Sequence, residues 1–267
     1  MIIVGEKINT IRPAVARAVE AHDAAFFERE VCLQVEAGVQ AVDLCCAAHY
    51  EREAEDMKWL VELAQSVTDT PLSIDSSNPQ TILAAFPVSR NPSATWINSI
   101  TADPKRHEPL LPLAKEHGCP LVALCMDECG IPQSPKARLE VAKRIVDLVV
   151  AQGIPLANLF LDALIDPVSF APGNGLLTLE TIALLKQELP EVKTIICLAG
   201  ISFGLPARKL LNRTFLPLVI EHGVDAIFLD PVDKKLMSTL RASEAIASRD
   251  EHCKRYLAAF RAGELVE

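Results

Sequence analysis

The amino-acid sequence predicts an α/β fold, a single-domain (β/α)8 TIM barrel that spans residues 1–267. Two observations lead to this prediction. Short, continuously apolar runs alternate with segments of helical periodicity along the whole chain, and turn residues separate them. Eight such units of about 33 residues each account for the length, which is typical of this barrel.

An open doubly wound sheet is the main alternative for this alternating pattern. Such a sheet would normally have a Gly-rich phosphate-binding turn after its first strand. The corresponding segment of this chain, Val4–Asn9, is neither a G-x-G-x-x-G motif nor a P-loop. The barrel is therefore favoured.

Eight apolar runs are expected to form the strands. Their hydrophobicity is continuous rather than alternating, as expected for parallel strands that are buried on both faces. In chain order they are Ile2–Val4, Ala41–Leu44, Leu72–Ile74, Thr95–Ile97, Leu121–Leu124, Leu159–Leu161, Thr194–Leu198 and Ala226–Leu229.

The segments between the strands place apolar residues at or near positions i, i+3, i+4 and i+7, the spacing of one helix face. Four of these segments are followed by a glycine, which favours the left-handed conformation at a helix C-terminus: Gly38, Gly118, Gly153 and Gly223. The predicted helices are Ala24–Glu36, Arg52–Val67, Pro79–Phe86, Pro109–His117, Pro135–Ala151, Leu179–Glu188, Arg208–His222, Lys234–Ser248 and His252–Arg261.

The composition excludes several classes of function. The chain has 26 Lys+Arg against 35 Asp+Glu, a net charge of −9, and it lacks the basic runs that bind nucleic acid. The longest weakly polar stretch, Thr194–Ala207, is shorter than the roughly 18 apolar residues that a membrane span needs. Met1–Glu6 has no feature of a secretory signal. We therefore expect a cytoplasmic protein without nucleic-acid or membrane partners.

Polar residues follow most of the predicted strands, where a barrel of this type builds its active site. Asp75, Asn98 and Asp162 come at or just after the ends of the third, fourth and sixth strands. A carboxylate accepts two parallel hydrogen bonds, so two acids and an amide suit a flat heterocycle with adjacent N–H donors better than a phosphate. Asp and Asn are also common in turns and at helix N-caps, and Asp43 fits either interpretation.

The eight cysteines are expected to be free thiols, as in most cytoplasmic proteins. Cys125 and Cys129 have nearly the spacing of a ligand pair, but the partner clusters of a structural zinc site are missing, so no metal is expected. A catalytic zinc held by three strand-end cysteines is the alternative. A nucleophilic cysteine lacks an obvious activating base, because His49 alone among the histidines follows a strand.

The strand-end residues resemble those of a known family. The matching stretches run in order over nearly the whole chain: Gly5–Asn9, Ala41–Leu44, Ser73–Asn78, Ile97–Ser99, Gly130–Pro132, Leu161–Asp162 and Leu211–Leu216. They are similar to the methyltetrahydrofolate-binding methyltransferases, which exchange methyl groups with corrinoid proteins. These enzymes are pterin-binding barrels, as are dihydropteroate synthase and the folate module of cobalamin-dependent methionine synthase.

This resemblance implies a site for tetrahydrofolate or 5-methyltetrahydrofolate at the mouth of the barrel. It implies that Asp75, Asn98 and Asp162 are the catalytic residues and hydrogen-bond the pterin ring, while Arg208 helps to hold the folate. Two further residues, Met126 and Ile227, are expected to line the ring. The other residues expected in the folate pocket are Asp43, Gly200 and Ser202.

Two positions depart from the family pattern. Gly200 stands where the family usually has an asparagine near N5 of the folate, and Cys45 replaces an asparagine after Asp43-Leu44. The loss at Gly200 removes a hydrogen bond that would stabilise charge on N5 as a methyl group leaves. Transfer from methylcobalt to the N5 lone pair needs mainly positioning. We therefore expect methylation of tetrahydrofolate, as in catabolic demethylation of methoxylated or methylated-amine compounds.

The resemblance also implies a partner. The chain has no D-x-H-x-x-G corrinoid-binding motif, so the cobalamin is expected on a separate corrinoid protein, and the family suggests a homodimer. Three alternatives remain: transfer from 5-methyltetrahydrofolate to a Co(I) corrinoid protein, a dihydropteroate synthase-like enzyme, and a non-catalytic folate-binding subunit. Dihydropteroate synthase would be expected to have a Lys after the seventh strand and an Arg-x-His at the eighth, where this chain has Leu198–Ser202 and Leu229–Asp233.

Overall fold

Within residues 1–47 and 51–266, which the computed structural model describes, eight parallel strands close into a barrel. Each strand pairs with the next one along the chain, and the last pairs with the first. The strands are β1 (Ile2–Asn9), β2 (Ala41–Cys45), β3 (Leu72–Asp75), β4 (Trp96–Ile100), β5 (Leu121–Leu124), β6 (Leu159–Asp162), β7 (Lys193–Cys197) and β8 (Ala226–Leu229).

Helices connect the strands and surround the barrel. In the described part of the chain they are α1 (Pro13–Glu20), α2 (Ala24–Glu36), α3 (Glu53–Val67), α4 (Pro79–Ala85), α5 (Pro104–His107), α6 (Leu111–His117), α7 (Pro135–Ala151), α8 (Asn174–Glu188), α9 (Arg208–Glu221), α10 (Lys234–Ile246) and α11 (Lys254–Arg261). A 3-10 segment, Leu198–Ser202, follows β7 directly and shapes the loop at the mouth.

The predicted barrel and its eight strands are confirmed, with differences at the ends of elements. Strand β1 continues to Asn9 through an irregular pairing with β2 between Gly5 and Ile8. Helices α1 and α5 were not predicted, because helices of eight and four residues are too short to show a clear period. The interruption by Gly173 and Gly175 also hid the first turn of α8.

Glycine ends the helices as expected. Gly118 is the C-cap of α6 and has a φ of +60°, in the left-handed region where a side chain is unfavourable. Gly38, Gly153 and Gly223 also have positive φ values, of +82°, +76° and +101°. These turns lead the chain from the end of a helix back into the barrel.

Two apolar cores lie on either side of the strands. The larger one lies between the barrel and the helices. The smaller one fills the barrel interior and consists of Val4, Ala41, Trp96, Val122, Phe160, Ile195, Ala226 and Phe228. Because successive residues of a strand point to opposite faces, the residue two positions after each interior residue also faces inward, nearer the mouth.

No helix in residues 1–47 and 51–266 is long and apolar enough to cross a membrane.

Candidate active site at the mouth of the barrel

A group of polar side chains caps the interior core at the carboxyl ends of the strands. Asp43, Asn98 and Asp162 lie two residues beyond the interior residues Ala41, Trp96 and Phe160, and they are only 3%, 8% and 7% exposed. Asp75 is the register partner of Asn98 on the neighbouring strand. We refer to Asp43, Asp75, Asn98 and Asp162 as the polar ring.

Hydrogen bonds and desolvation set the charges of the ring. Asn98 Nδ2 donates to Asp43 Oδ1 over 3.1 Å. Burial raises the pKa of Asp162 to about 7 and that of Asp75 to about 6. Burial, together with the negative charge of Asp75, raises the pKa of Asp43 well above its usual value. The ring therefore holds three carboxyl groups whose pKa values are raised by burial, a feature typical of functional sites.

Asp162 is held by the loop that follows β6. Its Oδ1 accepts a hydrogen bond from the backbone N–H of Leu164 over 2.8 Å. Behind this loop, the fully buried Arg138 of α7 donates to the carbonyl oxygens of Ala163 and Leu164, both at 2.8 Å, and to Asp166 Oδ2 at 2.5 Å. Its positive charge also lowers the pKa of Asp162 against the effect of burial.

Asp75 is supported by a second arginine. Arg106 of α5 donates to the carbonyl oxygen of Ser99 over 3.1 Å and more weakly to that of Ser76 at 3.4 Å. Its charge lowers the pKa of Asp75, as does a hydrogen bond from the Cys45 thiol. The Ser76 hydroxyl is in turn anchored on the buried carboxylate of Glu53, at 2.5 Å.

A cavity of about 450 Å³ opens at the β1, β7 and β8 side of the mouth. The loop after β7 forms one wall with Gly200, and Arg208 of α9 also lines the cavity. At its inner end the thiol of Cys197 donates to Glu6 Oε2 over 2.9 Å. The other lining residues are Asn9, Ile11, Arg12, Pro13, Leu198, Ala199, Phe203, Lys209, Asn212, Leu229, Asp230, Asp233 and Leu236.

Comparison with known proteins adds to this geometry. The family described as pterin binding enzyme matches residues 17–230. The chain is 32% identical over 267 residues to the methylcorrinoid:tetrahydrofolate methyltransferase of Eubacterium limosum, a match that covers 99% of this chain and 98% of the relative.

This chain belongs to the pterin-binding enzyme family. It is also 28% identical over 243 residues to the methionine synthase of Mycobacterium leprae, covering 85% of this chain but only 20% of that much longer protein. Among solved structures, the dihydropteroate synthase of Xanthomonas albilineans in complex with 7,8-dihydropteroate has a TM-score of 0.70 at 18% identity, covering 92% of this chain and 93% of that one. That likeness concerns the fold alone.

The structure of this pterin-binding enzyme brings together some of the residues expected at its site. Asp43, Asp75, Asn98 and Asp162 form the polar ring, whereas Gly200 and Arg208 lie in the adjoining cavity. The ring side chains themselves do not belong to the cavity lining.

Three expected residues have other surroundings. Ile227 packs in the core between barrel and helices, because its neighbours Ala226 and Phe228 take the inward positions. The expectation that Ile227 lines the ring was therefore wrong. Ser202 is fully buried, and its hydroxyl accepts a hydrogen bond from Arg208 Nε over 3.1 Å. Met126 is half-buried after β5 and packs against the outer core.

Arg208 has a structural task in addition to its place at the cavity. Besides Ser202, it donates from Nη2 to the carbonyl oxygen of Ala199 over 2.7 Å and lies over the ring of Phe203. It therefore fixes the 3-10 segment that carries Gly200. Sequence analysis included Glu6 in the matching stretch Gly5–Asn9 but gave it no partner, and it missed Arg138, since an Arg on a helix does not reveal that it faces the site.

The cysteines are all free. Burial raises the pKa of the Cys45, Cys46 and Cys125 thiols, so these groups stay protonated and are poor nucleophiles and ligands. In the parts of the chain that the structure describes, no group of three His, Cys, Asp or Glu side chains has the arrangement of a metal site. His49 lies outside the described residues.

Proposed function

We propose that this enzyme transfers a methyl group from a methylated corrinoid protein to N5 of tetrahydrofolate. The observation that carries the proposal is the polar ring, in which Asp75, Asn98 and Asp162 face inward at one end of the barrel with raised carboxylate pKa values. Family membership and the full-length similarity to a methylcorrinoid:tetrahydrofolate methyltransferase support it.

The chemistry of the ring suits a reduced pterin. The 2-amino group, N3–H and N8–H of tetrahydrofolate are hydrogen-bond donors on one edge of a flat ring system, and carboxylates accept such bonds in pairs. Asn98 donates one N–H to Asp43, so its Oδ1 and second N–H are left for the ligand. Bound N–H groups would stabilise the ionised form of the desolvated carboxyl groups.

The proposed reaction requires the protein mainly to orient tetrahydrofolate and the methyl donor relative to each other. The N5 lone pair forms the new bond to carbon, and the electron pair of the cobalt–carbon bond stays on cobalt, which goes from Co(III) to Co(I). Holding the two substrates in line can account for much of the rate. Gly200 has no side chain to donate a hydrogen bond to N5 as a methyl group leaves it. We therefore propose methylation of tetrahydrofolate, rather than demethylation of 5-methyltetrahydrofolate, as the physiological direction.

The methyl donor is treated as a second substrate on a separate protein, because this chain lacks a corrinoid-binding motif. We also propose a homodimer in the cytoplasm and one catalytic domain over residues 1–267. Light scattering on the purified protein tests the dimer, and a monomer at micromolar concentration would contradict it.

An anaerobic assay tests the reaction. Methylcobalamin and tetrahydrofolate are mixed with enzyme, and the loss of the methylcobalt spectrum is followed together with the formation of 5-methyltetrahydrofolate. We expect catalysis that Asp75→Ala and Asp162→Ala each lower by at least tenfold. A kcat for the conversion of 5-methyltetrahydrofolate and Co(I) that exceeds the kcat for methylation of tetrahydrofolate, each at saturating substrate, would show that the direction is wrong. Folate binding without any spectral change would instead identify a non-catalytic subunit.

A further inference from the structure

We propose that Glu6 is the base that accepts the proton from N5 of tetrahydrofolate, and that the Cys197 thiol positions its carboxylate. This inference rests on the proposed function. It starts from a hydrogen bond of 2.9 Å between Cys197 Sγ and Glu6 Oε2, whose residues lie 191 positions apart in the sequence.

The location of this pair is the first step. Glu6 and Cys197 line the same cavity as Gly200, which stands where the family resemblance places N5. They also lie within electrostatic reach of the polar ring, since the charge of Glu6 acts on Asp43 and that of Asp162 acts on Cys197. The pair is therefore next to both the pterin-binding acids and the loop at the reactive nitrogen.

The proton balance of the reaction is the second step. N5 of tetrahydrofolate is a secondary amine, so bonding of its lone pair to the methyl carbon leaves a cationic nitrogen that still carries its hydrogen. That proton must leave to give neutral 5-methyltetrahydrofolate. An asparagine could only hydrogen-bond this group, and Gly200 lacks a side chain altogether, whereas a carboxylate can accept the proton.

The state of Glu6 is the third step. Burial raises the pKa of Glu6, while the hydrogen bond from Cys197 lowers it. Within the described residues, Glu6 Oε2 accepts the hydrogen bond from Cys197, and Glu6 Oε1 accepts none. The Cys197 side chain is exposed to the cavity. Its thiol remains protonated, because desolvation deep in the mouth and the charge of Glu6 raise its pKa. The charged and titratable groups around Glu6 are Cys197, Arg12, Asp230, Arg208 and Asp43.

The test compares pH profiles of kcat for methylation of tetrahydrofolate by methylcobalamin. We expect Glu6→Gln to lower kcat at least tenfold and to remove the acidic limb of the profile, with KM for tetrahydrofolate changed by less than threefold. Cys197→Ala, which removes the donor to Glu6, should shift the acidic limb to higher pH, and Cys197→Ser should leave it near its wild-type position.

Asp23→Asn is the control, because Asp23 lies outside the cavity lining and Asn preserves its cap on Phe26 N–H of α2. It should keep the wild-type profile, and thermal melting should show that each variant is folded. If Glu6→Gln keeps more than half of wild-type kcat, or loses activity with an unshifted profile, Glu6 is not the base. A wild-type enzyme that transfers no methyl group would overturn the proposed function instead.

Discussion

Asn98 on β4 donates its side-chain N–H to Asp43 on β2, over 3.1 Å and across the intervening strand. This bond fixes the amide of Asn98 at the centre of the polar ring. Asp43→Ala leaves the N–H without a partner, whereas Asp43→Asn can still accept it. We expect KM for tetrahydrofolate to rise about tenfold in the alanine variant, which corresponds to the cost of one unpaired buried donor, about 1.4 kcal/mol. The asparagine variant should stay within threefold, and equal losses in the two would contradict this role.

Folate binding should strengthen as the pH rises. The pKa values of Asp75 and Asp162 are raised to about 6 and about 7, so both groups are largely protonated at pH 5.5 and ionised at pH 8. Only the ionised groups accept hydrogen bonds from the pterin with both oxygens. We expect Kd for tetrahydrofolate, measured by titration, to fall roughly tenfold over this range. Asp162→Asn should remove the change of Kd with pH near pH 7. The titration of tetrahydrofolate itself cancels when the variant is compared with wild type, because both bind the same ligand.

The burial of Asp162 should lower the stability of the folded enzyme at pH values where this side chain is ionised. Its pKa is higher in the folded than in the unfolded chain, so the folded state binds more protons between about pH 4 and pH 7, and stability falls as the pH rises through this window. Asp162→Asn keeps an acceptor for Leu164 N–H without the charge. We expect it to be more stable than wild type at pH 8 by about 2 kcal/mol, and the gain to shrink towards zero at pH 4.

Asp127→Asn is the control for that experiment. A hydrogen bond from Arg144 lowers the pKa of Asp127, so removal of this charge should weaken the fold slightly at pH 8. Chemical denaturation at several pH values measures both variants. A loss of stability in Asp162→Asn at pH 8 would show that the carboxylate is well compensated in the folded enzyme.

The sequence predicted much of the barrel and the positions of the ring, because continuous apolar strands and strand-end acids leave a strong pattern. Asp75, Asn98 and Asp162 were predicted from their positions at the ends of strands that can be located in the sequence, whereas Asp43 fitted a structural role equally well. Ile227 was placed wrongly because its run, Ala226–Leu229, is apolar on both faces, so the pattern does not indicate which residues point inward. The Glu6 to Cys197 contact depends on barrel closure and has no local signal.

Gly200→Asn should restore a donor near the leaving nitrogen. A Cβ atom at this position would lie 3.3 Å from Ile165 Cβ and 3.4 Å from its carbonyl oxygen, so the side chain fits after a small shift at a cost of about 1 kcal/mol. We expect kcat for demethylation of 5-methyltetrahydrofolate by Co(I) cobalamin to rise severalfold. Gly200→Ala, which is equally crowded but has no amide, should show no such gain.

Both directions of transfer share one transition state, so the ratio of their kcat/KM values is fixed by the overall equilibrium. The effect of Gly200→Asn therefore has to be measured as kcat with saturating 5-methyltetrahydrofolate. A rate equal to that of Gly200→Ala would mean that the loop after β7 does not hold N5.

Arg138 should be among the residues to which folding is most sensitive. It is fully buried, and its guanidinium joins α7 to the loop after β6 through Ala163, Leu164 and Asp166. Arg138→Met removes every one of these donors, and the Nε donor to the Pro132 carbonyl oxygen as well, so a carboxylate and three carbonyl oxygens are left with fewer partners. We expect a loss of about 3 to 5 kcal/mol in the free energy of unfolding. The pH dependence of kcat/KM for tetrahydrofolate should shift to higher pH as well, because the positive charge that lowers the pKa of Asp162 is gone.

Arg144 supplies the comparison on the same helix. It pairs with Asp127 at the surface and is 51% exposed, so Arg144→Met should cost no more than about 1 kcal/mol. Urea denaturation of the two variants measures the difference, and the pH profile of methyl transfer measures the effect on Asp162. Equal stabilities would contradict the role given to Arg138. An unshifted profile with lost stability would mean that Arg138 holds the loop without influencing the acid that it carries.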